Sequence, residues 1–150
     1  MFQTKTQCFR YPPVFHIIYI SHAVAPMSPA ELAELLDKSR TFNHAAGITG
    51  ALFYHDGYFL QVIEGDEVAV RGLYANIKRD PRHRAITTLF EEPIREREFE
   101  KWSMAFRNLD LDPNGVPEGF EEIFNMDLDQ IELKRYPSKV RVFLAGMCGL

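Results

Sequence analysis

One sheet with helices packed on both faces is the fold that the sequence predicts. Three observations predict it: an element order of βαββαββ followed by two helices, an Asp-Gly turn between two strand-like runs, and connections too short for a second domain. At 150 residues, 46% of them hydrophobic, the chain has enough apolar material for one core without disulfide or metal staples.

Residues 1–13 read as a polar N-terminal arm closed by Pro12 and Pro13. Phe15 to Ser21 is rich in Ile and aromatic residues and reads as the first strand. Ser28-Pro29-Ala30-Glu31 is a helix start: Ser28 caps, Pro29 suits the first helical position and Glu31 completes a capping box. Leu32, Leu35, Leu36, Ser39 and Asn43 recur at helical spacing, and the helix is expected to end before Gly47. Ile48 to Tyr54 and Tyr58 to Glu64 are strand-like runs around His55-Asp56-Gly57, whose turn residues tolerate positive φ. Val70, Leu73, Tyr74 and Ile77 mark a second helix between Asp66 and Asp80. Ile86 to Glu92 and Trp102 to Arg107 read as the fourth and fifth strands, separated by Pro93 and a charged stretch. After a turn-rich break at Asp112 to Pro117, Phe120, Ile123, Phe124, Leu128 and Ile131 suggest a third helix. Ser138 begins a fourth, with Val140, Phe143, Leu144 and Met147 as its apolar side.

Charge and cysteine usage exclude several classes of function. Lys and Arg number 17 against 21 Asp and Glu, a net charge of -4, which lacks the footprint of a non-specific nucleic-acid binder. Cys8 and Cys148 lie near opposite ends with no metal spacing, so inert thiols in a reducing compartment are expected. Lys5 and Arg10 followed by Val14 to Ile20 imitate a signal peptide, but Pro12, Pro13, His16, Tyr19 and His22 interrupt the apolar run. No stretch approaches the roughly 18 apolar residues of a membrane helix. A soluble, cytoplasmic protein is expected, with no membrane and no nucleic-acid partner. The His residues show no metal-ligand spacing, and the GxGxxG, GxxxxGK[ST] and GxSxG signatures are absent.

Polar side chains stand where the pattern calls for apolar ones. Gln61 shares parity with Phe59 and Ile63, while Leu60 and Val62 line the other face, so it is an amide inside a core strand. Ser39 and Asn43 lie four residues apart on the inward stripe of the first helix. Tyr19 shares a strand face with Ile17 and Ser21. Each alone reads as an ordinary buried hydrogen bond. Together they suit a polar, planar ligand held among apolar side chains. Lys78, Arg79, Arg82, His83 and Arg84 form a basic cluster that is either solvated charge at a helix C-terminus or a phosphate-binding rim. Glu64, Asp66 and Glu67 read as capping charges on a turn into a helix.

At these residues the chain resembles the BLUF family, the flavin-binding blue-light sensors of bacteria, in their short stand-alone form. The resemblance runs from about Phe15 to Leu109. It is carried by IIYISHA (17–23), SRTFNHAAGITGALFY (39–54), GYFLQVIEG (57–65), RDPRH (79–83) and FEKWSMAF (99–106). It implies an α+β, ferredoxin-like five-stranded mixed sheet. Two long helices, at about 28–43 and 66–79, lie on the flavin face and C-terminal helices on the other. The flavin-binding domain then spans 14–110, and 111–150 form a helical cap of the same domain.

The resemblance also implies roles. Tyr19 matches the photoactive tyrosine and Gln61 the switch glutamine, with Trp102 and Met104 as the fifth-strand pair beside it. Asn43 matches the asparagine at the flavin carbonyl edge, with Ser39 close by. Ile48, Lys78, Asp80, Arg82 and His83 are the remaining expected flavin contacts. The implied chemistry is photoinduced electron and proton transfer from Tyr19, rearrangement of Gln61, and a reversible red-shifted signalling state. FAD is the expected cofactor, with FMN and riboflavin as alternatives. Two positions depart from the family pattern: Asn76 stands where many relatives carry a base, and Phe42 where many carry a polar side chain. The expected protein is not an enzyme; it signals to a downstream protein partner and forms a homo-oligomer, its third and fourth helices passing the signal on. A small flavin-dependent oxidoreductase is the alternative function, and a scaffold without ligand the third.

Overall fold

Ser28 sets the first helix as its sequence requires. Its hydroxyl accepts from the Glu31 amide at 3.1 Å, and the Glu31 carboxylate accepts from the Ser28 amide at 3.2 Å. The computed structural model describes residues 13–100 and 103–108. Within them run β1 (Val14–Ala23), α1 (Pro29–Ala46), β2 (Thr49–His55), β3 (Tyr58–Gly65), α2 (Glu67–Arg79), β4 (His83–Ile94) and β5 (Ala105–Asn108). Gly47 closes α1 at φ 69°, a left-handed cap that glycine adopts without cost from a Cβ. Trp102, Cys148, the helices expected in 111–150 and all of the expected arm 1–13 but Pro13 lie outside the described residues.

β4, β1, β3 and β2 make an antiparallel sheet in that order, and β5 runs parallel to the far side of β2. The β2–β3 hairpin turns on Asp56 (φ 46°) and Gly57 (φ 80°), the positive pair that matches strand twist. Gly50 is required where it stands: a Cβ there would lie 2.0 Å from the Val62 carbonyl oxygen.

Both helices pack on one face. Ile17, Tyr19, Leu52, Phe59 and Ile63 of the sheet share a core with Leu32 and Leu36 of α1 and Val70 and Tyr74 of α2. On the opposite face Ile18, Ala51, Phe53, Leu60 and Val62 are also buried, so the expectation of a sheet apolar on both sides holds.

Three sequence expectations need correction. β4 begins at His83, earlier than Ile86, and continues through Pro93. As an outer strand it tolerates a residue without an N–H, and Pro93 stands in register with Phe15. The fifth strand begins at Ala105 rather than Trp102. Asp66 does cap α2, but Glu64 is not a capping charge: it is fully buried at the end of β3.

Candidate functional site

Between α1, α2 and the sheet lies a cavity of about 240 Å³. Leu35, Leu52, Phe59, Leu73 and Ile77 give it apolar walls, with Met27 contributed by the β1–α1 loop. Polar groups converge on it from β1, α1, β3, the α2–β4 turn and β4: Tyr19, Ser39, Asn43, Gln61, Asp80, Arg82 and His83. A mostly apolar cleft with a few placed polar groups is the makeup of a cofactor pocket. Lys38 and Phe42 also line it, and Phe42 is 48% exposed.

The centre of the site is a chain of side-chain bonds through one amide. Tyr19 and Gln61 are register partners on β1 and β3, and the Tyr19 hydroxyl donates to Gln61 Oε1. On its other side Gln61 Nε2 donates to the Met104 sulfur at 3.6 Å. Tyr19 is 3% exposed and Gln61 6%, so the relay is shielded from water. Burial raises the Tyr19 phenol far above its ordinary range, and the neighbouring Tyr74 and Asp80 push the same way. Its ring packs against Tyr74 at 5.2 Å between centroids and meets His83 edge-on at 6.4 Å. His83 is itself fixed: Nε2–H donates to the Ile77 carbonyl at 2.7 Å, and in the neutral ring Nδ1 accepts from the Ser21 hydroxyl at 2.8 Å.

Asn43 faces two ways. Its Nδ2 donates to the Ser103 carbonyl at 2.8 Å, while its Oδ1 is buried without a partner. An orphaned amide oxygen in a buried site costs about 1–3 kcal/mol until a donor reaches it. Ser39 lines the cavity while its hydroxyl donates back to the Leu35 carbonyl at 2.9 Å. Arg82 grips Asp80, Nε lying 2.9 and 3.0 Å from the two carboxylate oxygens. That bond holds the Asp80 carboxyl below its usual range and raises the guanidinium further.

Not every residue singled out in the sequence reaches the cavity. Ile48 is buried in the core and does not form the wall. Lys78 lies over the Tyr74 ring at 4.4 Å, and Asn76 is exposed on α2. The basic cluster is therefore divided, with Arg82 and His83 turned to the cavity. Trp102 lies outside the described residues. Sequence reasoning passed over Lys38, a helical turn before the Phe42–Asn43 pair, and the apolar walls. Leu73 and Ile77 were legible as part of the α2 stripe, with no sign that they frame a ligand.

A flavin fits these residues. Its ring is flat and apolar on both sides, as the walls require, and its pyrimidine edge carries one N–H between carbonyl oxygens. The unpartnered Asn43 Oδ1 needs a donor of that kind.

Comparison with known proteins agrees. The model of the BLUF family, sensors of blue light using FAD, matches residues 14–105. The β subunit of a photoactivated adenylate cyclase from Euglena gracilis is 37% identical over 89 residues, covering 59% of this chain and 10% of that protein. The chain thus spans about a tenth of the length of the curated relatives it matches. BlrB, a BLUF protein in its dark state, superposes with a TM-score of 0.65 at 28% identity, covering 93% of this chain and 98% of that one. A bacterial light-regulated adenylyl cyclase superposes at 0.67 with 26% identity, covering 91% of this chain and 34% of that one. The family match extends over more than half of the sequence and takes in the residues of the cavity, so the chain belongs to the BLUF family of flavin-binding blue-light sensors.

Proposed function

We propose that this chain is a reversible photoreceptor in which the Gln61 amide is the switch, Tyr19 the redox partner and Met104 the first receiver of the change. The observation that carries the reading is the double engagement of Gln61, by Tyr19 through Oε1 and by Met104 through Nε2. Bound flavin supplies absorption of blue light and, once excited, an acceptor for one electron. Asn43 and Ser39 would hold its polar edge, and Lys38, Arg82 and His83 the remainder.

The chain's own residues define what happens next. The Tyr19 phenol is neutral in the dark, and burial raises its pKa further; it releases its proton on oxidation because the oxidised phenol is a strong acid. Gln61 Oε1 already accepts that proton's hydrogen bond. If the amide turns over, Oε1 faces the Met104 sulfur, and a thioether has no hydrogen to give. The bond to Met104 is then lost, so a side-chain rotation in the core becomes a loosened contact beside β5. A carboxylate at 61 would lack the donor, and a leucine would lack both partners.

FAD is the proposed cofactor, in line with the family's description. A ferredoxin-like, five-stranded mixed sheet is supported by β5 beside β2. The buried second face of the sheet supports a helical cap over 111–150; we propose that this cap relays the signal to a protein partner or a second copy, and that the chain works in the cytoplasm. No turnover is proposed; the oxidoreductase alternative is not favoured, since the family's members are sensors. The test is an absorption spectrum of the flavin-loaded chain before and after a blue flash. A red shift that decays in the dark supports the photoreceptor; bleaching that persists and reverses only with oxidant overturns it.

A further inference from the structure

Glu64 is a buried carboxylate that the photochemistry does not use. It is 0% exposed, three residues beyond Gln61 on β3. Its Oε1 accepts from the Thr49 hydroxyl at 2.8 Å and from the Phe99 amide at 2.7 Å, and its Oε2 from the Glu98 amide at 2.9 Å. Every named partner is a donor, so both carboxyl oxygens are satisfied although the side chain is buried. The Glu98 and Phe99 amides belong to the segment that leads from β4 to β5, so a sheet residue holds the approach to Met104.

Arg97 extends the same anchor to α1. Its guanidinium donates to Thr49 Oγ1 at 2.9 Å and to the Gly47 carbonyl, at the end of α1, at 2.7 Å. The backbones are close here: a Cβ on Gly65 would lie 3.1 Å from the Gly47 oxygen and 3.6 Å from Arg97 Nη2. From the other direction Asn43 holds the Ser103 carbonyl, and Arg40 Nε donates to the Met104 carbonyl at 3.0 Å. The stretch carrying Met104 is thus fixed upstream by Glu64 and Arg97 and locally by α1.

We infer that Glu64 is a positioning residue: by anchoring residues 97–99 it holds the Met104 sulfur against Gln61 and thereby sets how long the switched state lasts. This rests on the photoswitch reading above. Glu64→Gln keeps the shape but turns an N–H₂ toward one of the three donors, which releases part of the anchor.

The test uses the full chain, first flavin-free and then loaded with FAD. In the flavin-free chain, Glu64→Gln is expected to speed hydrogen exchange at the Glu98 and Phe99 amides about tenfold or more. In the loaded chain, dark recovery after a blue flash is expected to quicken about threefold or more, while in a Met104→Ala background the same change has no further effect. Arg97→Ala, at a half-buried position, is expected to act in the same direction and serves if Glu64→Gln does not fold. Unchanged exchange, unchanged recovery, or an equal acceleration without Met104 overturns the inference; the last would mark a merely structural role. A parent chain with no red shift overturns the photoswitch reading and this inference with it, whereas a shifting parent indifferent to Glu64→Gln overturns the inference alone.

Discussion

Tyr19 and Gln61 stand opposite each other in the β1–β3 register, and their side chains bond directly across it. Cross-strand partners on one face hold their Cβ atoms about 4.5–5.5 Å apart, so this contact is imposed by the backbone. Gln61→Glu is therefore expected to preserve the position and remove the Nε2 donor. Flavin should remain bound, with affinity changed less than about tenfold for one hydrogen bond. The reversible red shift should disappear. Flash spectroscopy checks this, and a normal shift in the variant would remove Gln61 from the switch.

Asn43→Leu should weaken flavin binding by about 1–3 kcal/mol, roughly 5- to 150-fold, because the cofactor's edge loses its partner inside a buried site. In the flavin-free chain the same substitution frees the Ser103 carbonyl but also removes the orphaned Oδ1, so stability there should change by less than about 1 kcal/mol. Titration with riboflavin and denaturant melts separate the two effects.

Tyr19 gives a pH dependence with a definite sign. Its folded pKa lies above the ordinary phenol value of about 10, so between about pH 10 and that raised value the unfolded chain binds fewer protons than the folded one. Stability from this group is complete below pH 10 and falls above it by about 1.4 kcal/mol per pH unit. Tyr19→Phe should flatten that alkaline limb in denaturant melts at pH 9 to 11.

Gly50→Ala tests the sheet itself. The new methyl would sit 2.0 Å from the Val62 carbonyl oxygen, a backbone atom that cannot swing away. Loss of more than about 4 kcal/mol, or failure to fold, is expected in thermal melts. Gly72→Ala, on an open helix surface, should stabilise by about 0.4–1 kcal/mol.

The sequence made local structure legible wherever the determinants are neighbours in the chain. Ser28 and Glu31 cap each other within one turn, and Asp56-Gly57 reverses the chain on its own φ preferences. Gln61 and Asn43 were visible as amides breaking an apolar pattern, and both line the cavity. Glu64 escaped because its partners at 98 and 99 come from far along the chain, so a carboxylate near Asp66 looked like one more helix cap. Lys78, an expected flavin contact, stands four residues after Tyr74 on α2 and lies over that ring, a packing that its spacing alone does not announce. Pro93 suggested a strand end because the pattern does not say which strand lies at an edge.

The position of β3, with β1 on one side and β2 on the other, has a consequence for detection. Backbone flanked by hydrogen-bonded strands is among the last to open spontaneously. The switch proposed at Gln61 would be insulated there from thermal breathing of the fold, and false events in darkness would be limited to reversals of a single amide. On that proposal the background would be governed by one side chain's rotational barrier and not by the stability of the protein that carries it.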